Sequence, residues 1–251
     1  MTLDSLNRWK AAGIHLCLSA LIAATVVVVM LALWYPGPYF DAMGGQTLLV
    51  LIVGVDVTLG PLLTLIVFNP KKKRLRFDLA VIAACQVIAL AYGVWVTFGA
   101  RPVYTAFVKD RFDVVAANDL DAADLEAGPA EYRSLSLTGP RVIGVRLPTD
   151  SKEQSDLIFS ALAGKDAQNF PKYYVPYEEV AGEAIKRGKP IEALVKKYPD
   201  AAEAVHSLAT ESGRPEGAFV YVPFHGRARI MTAVIDTREG RLAGILPFNP
   251  Y

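Results

Sequence analysis

The hydrophobic pattern of this chain changes character near residue 100. Before that point apolar residues run on with almost no polar break. Gly13 to Tyr35 is 23 residues without a charge, Leu79 to Ala100 is 22, and Thr47 to Phe68 is another 22 interrupted by Asp56 alone. A hydrocarbon core of ~30 Å is crossed by roughly 20 apolar residues in a helix. The pattern therefore predicts three transmembrane helices over 13–35, 47–68 and 79–100.

Beyond Ala100 the periods shorten and alternate between strand and helix, so residues 101–251 read as one α+β domain. Pro102 to Lys109 and Phe112 to Ala117 form a β-rich pair joined at Asp110-Arg111, and Arg141 to Leu147 is a third strand stopped by Pro148. Helices are expected from Asp150-Ser151 to Leu162, with Leu157, Ile158, Ala161 and Leu162 on one face, and then over 178–186, 190–197 and 200–210. Strands return at Ala218 to Phe224, Ala228 to Asp236 and Arg241 to Leu246, with Gly240 completing the turn of the last hairpin.

Charge sharpens the division. Of 26 Lys+Arg, 19 lie in 101–251, as do 21 of 25 Asp+Glu, which leaves that domain at 19 − 21 = −2. Short loops carrying Lys and Arg stay in the cytoplasm. Arg8 and Lys10 precede the first span, Lys71, Lys72, Lys73, Arg74 and Arg76 fill the second loop, and the loop from Pro36 to Gln46 has no basic residue. The N-terminus and second loop are thus expected inside, and 101–251 outside. The basic loop is topogenic and contacts anionic lipid; at ten residues it makes a poor nucleic-acid site, and no nucleic-acid partner is expected. Trp34, Tyr35, Tyr39, Phe40, Trp95 and Phe98 are expected at the outer membrane boundary, Trp9 and Phe77 at the inner one. The first apolar run is too long for a signal peptide and lacks a small-x-small cleavage site, so it is expected to remain. Both cysteines, Cys17 and Cys85, fall within spans, so the outer domain has no disulfide.

Asp56 is the leading candidate for a functional residue, because a carboxylate at mid-bilayer costs at least ~2.5–3.5 kcal/mol and usually faces a protein partner or a polar cavity. Counted along ideal helices, Thr25 and Tyr92 lie at its height and are its expected hydrogen-bond neighbours. Asp56 could simply hold the bundle together, recognise a partner helix or carry a proton. Pro61, one turn on, is expected to kink the helix. The pairs Gly54/Thr58, Ala20/Ala24 and Ala80/Ala84 are spaced for close helix packing, first of all among these three spans. Catalysis has little support: no metal-ligand spacing, nucleophile elbow or phosphate loop occurs, and neither a metal nor a cofactor is implied. His225 reads as a turn residue.

Three segments carry a resemblance. Trp34 to Pro38 (WYPGP), Gly54 to Ile82 (GVDVTLGPLLTLIVFNPKKKRLRFDLAVI) and Arg101 to Ala117 (RPVYTAFVKDRFDVVAA) resemble the type IV pilin accessory proteins, the TfpX/TfpZ kind. The resemblance implies a bacterial inner-membrane protein with a periplasmic domain. It implies as partner the major type IV pilin, whose assembly it would assist as a chaperone-like factor, and beyond it the pilus assembly machinery. It brings no catalytic residues. A membrane-bound periplasmic sensor or an assembly-platform subunit are the alternatives.

Overall fold

In the computed structural model, which describes residues 7–251, three helices are long and apolar enough to cross a membrane: Arg8–Trp34, Gly45–Val67 and Leu75–Gly99. The first and third start several residues before the uncharged runs, because Arg8, Lys10, Arg76 and Asp78 can sit on a helix end with their charges outside the apolar layer. Asn7 caps the first, its Oδ1 accepting from Lys10 N at 2.8 Å. Arg8–Val29 is α-helical and continues as a π turn over Met30–Trp34. A second π turn, Val55–Leu59, interrupts the middle span. These spans form one compact unit.

The other unit contains Ala100–Tyr251 and also Tyr35–Gly44, the loop between the first two spans. Its frame is an eight-stranded mixed sheet built from β1 (Pro102–Val108), β2 (Arg111–Ala116), β3 (Arg141–Val145), β4 (Tyr174–Pro176), β5 (Lys189–Pro190), β6 (Phe219–His225), β7 (Ile230–Asp236) and β8 (Leu242–Leu246). The order is β4-β3-β1-β2-β6-β7-β8, with β5 also paired to β6. β1/β3 and β2/β6 are parallel and the remaining pairs antiparallel. β1 is buried along its whole length, which is why it reads as a continuous apolar run and not as an alternation.

The expected β1–β2 hairpin turns at Lys109, a non-glycine residue at φ 58°, and Gly240 closes β7–β8 at φ 70°. Helices cover the sheet over Ser151–Leu162, Ala181–Arg187, Ile191–Lys197 and Ala201–Ser212. Asp150 caps the first, its Oδ1 accepting from Glu153 N at 2.9 Å.

The face of that helix corrects the sequence reading. Leu157 packs toward the core, but Ile158, Phe159 and Leu162 are exposed. Its inner stripe is set by polar anchors: Glu153 accepts from Lys172 Nζ at 2.7 Å and Tyr173 Oη at 2.8 Å, and Gln154 donates to Pro148 O at 2.9 Å. These rotate Ile158 and Leu162 away from the sheet.

The loop Tyr35–Gly44 is core, not connection. Tyr35 and Ala42 are fully buried, and Tyr39 packs edge-on against Phe224 at 5.8 Å while its hydroxyl meets Thr105 Oγ1 at 2.8 Å. Tyr35, expected in an interfacial aromatic belt, is therefore buried in the sheet unit, and Tyr39 is partly buried there. The Ala42 carbonyl accepts from Ala228 N at 2.9 Å and Arg229 N at 3.2 Å. Backbone approach is so close that a Cβ on Gly226 would lie 2.2 Å from Ala42 O. Gly226→Ala should accordingly push this loop off and destabilise the unit by about 1–3 kcal/mol. Faster hydrogen exchange over 39–44 and 226–231 in the full chain would register it; unchanged exchange would refute the contact.

Candidate functional site

Asp56 sits at the midpoint of its span, eleven residues from Gly45 and eleven from Val67. Eleven residues from Arg8 and from Leu75 reach Ser19 and Gln86. These, with His15, line a cavity of about 120 Å³ beside Asp56. The uncharged runs place Thr25 and Tyr92 at this height, six residues further along, because the helices begin before those runs.

Thr25 is exposed and donates its hydroxyl to Leu21 O, 2.9 Å away in its own helix, so it is not the expected partner of Asp56. Tyr92 is exposed beside Trp95, their ring centroids 6.0 Å apart, and lines a second, larger cavity with Asp56. The inward stripe of the first span is Ala11, His15, Ser19 and Ala23. Gly54, Thr58, Ala20, Ala24, Ala80 and Ala84, expected to pack the bundle, are all exposed. Close packing instead uses Gly60, where a Cβ would collide with Gln86, and Gly93, where it would press on Ile52.

Pro61 explains the local backbone. It has no N–H, and its ring disfavours the carbonyl four residues back, so the helix widens into the π turn Val55–Leu59. In an i→i+5 ladder the carbonyl opposite Pro61 is that of Asp56, which Pro61 cannot satisfy. Gln86 Nε2 supplies the missing donor to Asp56 O at 3.1 Å. The expected disruption at Pro61 is thus a π turn bridged from the third span. One helical turn away, His15 Nδ1 meets Thr64 Oγ1 at 2.6 Å, linking the first and second spans.

The Asp56 side chain is treated differently from its backbone. The residue is 6% exposed, yet Oδ1 is buried without a hydrogen-bond partner among the described residues. A polar oxygen left so in an apolar medium costs several kcal/mol. The larger cavity, about 380 Å³, is walled by Leu48, Ile52, Val55, Ala89, Leu90 and Val96. His15, Thr64 and Gln86 were missed in the sequence, although three polar residues inside apolar runs were the available signal.

The basic loop lies between the second and third spans. Lys71, Lys72, Lys73, Arg74 and Arg76 are exposed, and Lys72 pairs with Asp78 at 2.6 Å.

In the sheet unit a polar set joins β2 to β6. Arg111 Nε donates to Asp113 Oδ1 and Oδ2 at 3.2 and 3.1 Å, and His225 Nδ1 lies 3.5 Å from Asp113 Oδ1. His225 Nε2 is 3.0 Å from the Tyr251 hydroxyl. Burial raises the Asp113 carboxyl pKa despite Arg111, and burial lowers that of the His225 imidazole despite Asp113. His225 ends β6 and is not the turn residue expected. His206 pairs with Glu216 at 3.0 Å, and among the described residues no cluster of His, Cys, Asp and Glu could hold a metal.

Comparison with known proteins gives a consistent picture. The model of the family "Fimbrial assembly protein FimB" matches residues 4–44. The chain is similar to the fimbrial assembly protein of serogroup I of Dichelobacter nodosus, with 34% identity over 184 residues, 72% of each chain. The serogroup E1 protein of the same organism is 32% identical over 184 residues, again 72% of each. The protein of serogroups C1 and C2 is 39% identical over 113 residues, covering 44% of this chain and 86% of its own. No solved structure matches the chain.

Proposed function

The chain belongs to the family of fimbrial assembly proteins, and from that premise we propose that it is a non-enzymatic accessory factor of type IV pilus biogenesis, of the TfpX/TfpZ kind, that holds the major pilin at the inner membrane before assembly. The observation that carries this reading is the 34% identity across 72% of both chains with a protein named for fimbrial assembly. The two-part architecture suits the task. A subunit waiting for assembly has an apolar helix in the membrane and a head outside it, and this chain offers three membrane-length helices and an α+β unit.

The N-terminus and the basic loop face the cytoplasm and the α+β unit the periplasm in this reading, supported by the five basic residues at 71–76 and none at 36–46. A periplasm-dependent reporter fused after Tyr251 should be active, and one inserted between Pro70 and Phe77 silent. The opposite pattern would reverse the orientation. The functional test is deletion of the gene: pilin should still be made, surface pili should be lost, and the full chain should restore them. Normal piliation without the chain would overturn the reading.

A further inference from the structure

We infer that the groove between the second and third spans is a binding site for a membrane helix of another protein, one that brings a hydrogen-bond donor to the Asp56 carboxyl. The inference rests on the proposed function for the identity of that protein, the pilus subunit.

Three observations on the Asp56 site point the same way. The residue lies at the middle of its span, where water supplies no partner. Its backbone carbonyl, orphaned by Pro61, is served by Gln86, whereas Oδ1 is served by none of the described residues. And the space beside it is a cavity of about 380 Å³ whose walls are apolar apart from Tyr92 and Thr97, neither of which bonds Oδ1, and which is large enough to admit side chains. A lipid acyl chain would fit the walls and leave Oδ1 unmatched. An apolar helix with one N–H or O–H donor at that depth matches both. Ala89, a small residue on the wall, leaves room for its backbone. The smaller cavity is lined on one side by His15, Ser19 and Ile22 of the first span.

The test places a photo-crosslinking amino acid at Val96, on the groove, and at Ile88, which is 69% exposed and lines neither cavity. Both are made in the full chain in native membranes. Val96 should yield an adduct with the subunit and Ile88 little or none. Asp56→Leu, at equal chain levels, should lower the adduct about tenfold, the ratio expected for one hydrogen bond of ordinary net strength. Asp56→Asn keeps an acceptor oxygen and should retain most of it. Ala89→Phe fills the groove without touching the carboxyl and should also abolish the adduct, which guards against Asp56→Leu merely loosening the bundle. A Val96 adduct only with lipid or with a second copy, or one indifferent to Asp56→Leu and Ala89→Phe, would overturn the site. Co-purification of the subunit with the full chain separates the two levels: subunit present without a Val96 adduct removes the groove alone, and subunit absent in both assays removes the proposed function as well.

Discussion

Arg214→Ala should cost the sheet unit about 3–5 kcal/mol, the range for removing one partner of a buried ion pair. Asp236 is fully buried at the end of β7, and its Oδ2 accepts from Arg214 Nε at 3.0 Å while Oδ1 accepts from Arg238 N at 2.8 Å. Arg214 follows Gly213, which ends the helix Ala201–Ser212 at φ 63°, so one side chain ties that helix to the β7–β8 turn. Tyr177 reinforces the turn from another side, its hydroxyl donating to Gly240 O at 2.7 Å. Without Arg214 a carboxylate stays buried with only backbone donors.

The pH dependence of this loss has a definite sign. Burial alone would raise the Asp236 carboxyl, but the Arg238 N–H and the Arg214 guanidinium hold it below its ordinary value of 3.8. A depressed carboxylate adds stability that is complete above its unfolded pKa and is lost as pH falls through the folded one. The gap between wild type and Arg214→Ala should therefore be widest near neutrality and narrow below about pH 4. The double variant Arg214→Met, Asp236→Asn, which removes both charges, should recover much of the loss. Urea midpoints from pulse proteolysis of the full chain in detergent would measure all of this. They also avoid tryptophan fluorescence, since Trp9, Trp34 and Trp95 all lie outside the sheet unit. A gap that is constant with pH would show that Arg214 acts through packing and not through Asp236.

The legible parts of the fold share a cause: each is governed by its own neighbours in sequence. The three spans announce themselves by length, β1–β2 and β7–β8 by β-rich runs on either side of a tight turn, and the helix at 151–162 by its Asp150 cap. What was hidden depends on distant residues. β4 and β5 are three and two residues long and exist only because β3 and β6 pair with them. The rotation of the helix at Leu157 is set by Lys172 and Tyr173. Pro36-Gly37-Pro38 marks a turn, but nothing local says that Tyr39 and Ala42 enter a core formed mainly by residues 100–251.

The membrane site divides the same way. Asp56 and Pro61 stand out in the chain because each breaks a rule of the run that holds it. Gln86 does not, since its role appears only when the carbonyl orphaned by Pro61 is seen across the bundle. Height is hidden for a physical reason: charged ends extend a helix past its uncharged run, and a shift of six residues is about 9 Å along the axis.

Exchanging the surface of the sheet unit with that of a relative serving a different subunit should transfer the preference for that subunit, provided the loop Tyr35–Gly44 is exchanged as well. An apolar groove with a single polar match accepts any apolar helix that presents a donor at the right depth, so it holds without discriminating. Selectivity then falls to the sheet unit, which carries most of the charge of the chain, 19 Lys+Arg and 21 Asp+Glu within 101–251. A swap of 119–251 alone appears to the eye as a clean domain exchange, but it sets a foreign Gly226–Arg229 segment against the native Ala42 carbonyl, which must accept from Ala228 N and Arg229 N. With a Cβ tolerance of essentially zero at Gly226, small backbone differences there translate into clash. Chimeras carrying 119–251 without 35–44 should therefore accumulate poorly, and those carrying both should reach wild-type levels and switch preference. The readout is surface piliation by each chimera with each subunit, normalised to chimera level. A preference that instead follows 1–34 and 45–100 would place discrimination in the membrane and make the surroundings of Asp56, not merely its oxygen, the selective element.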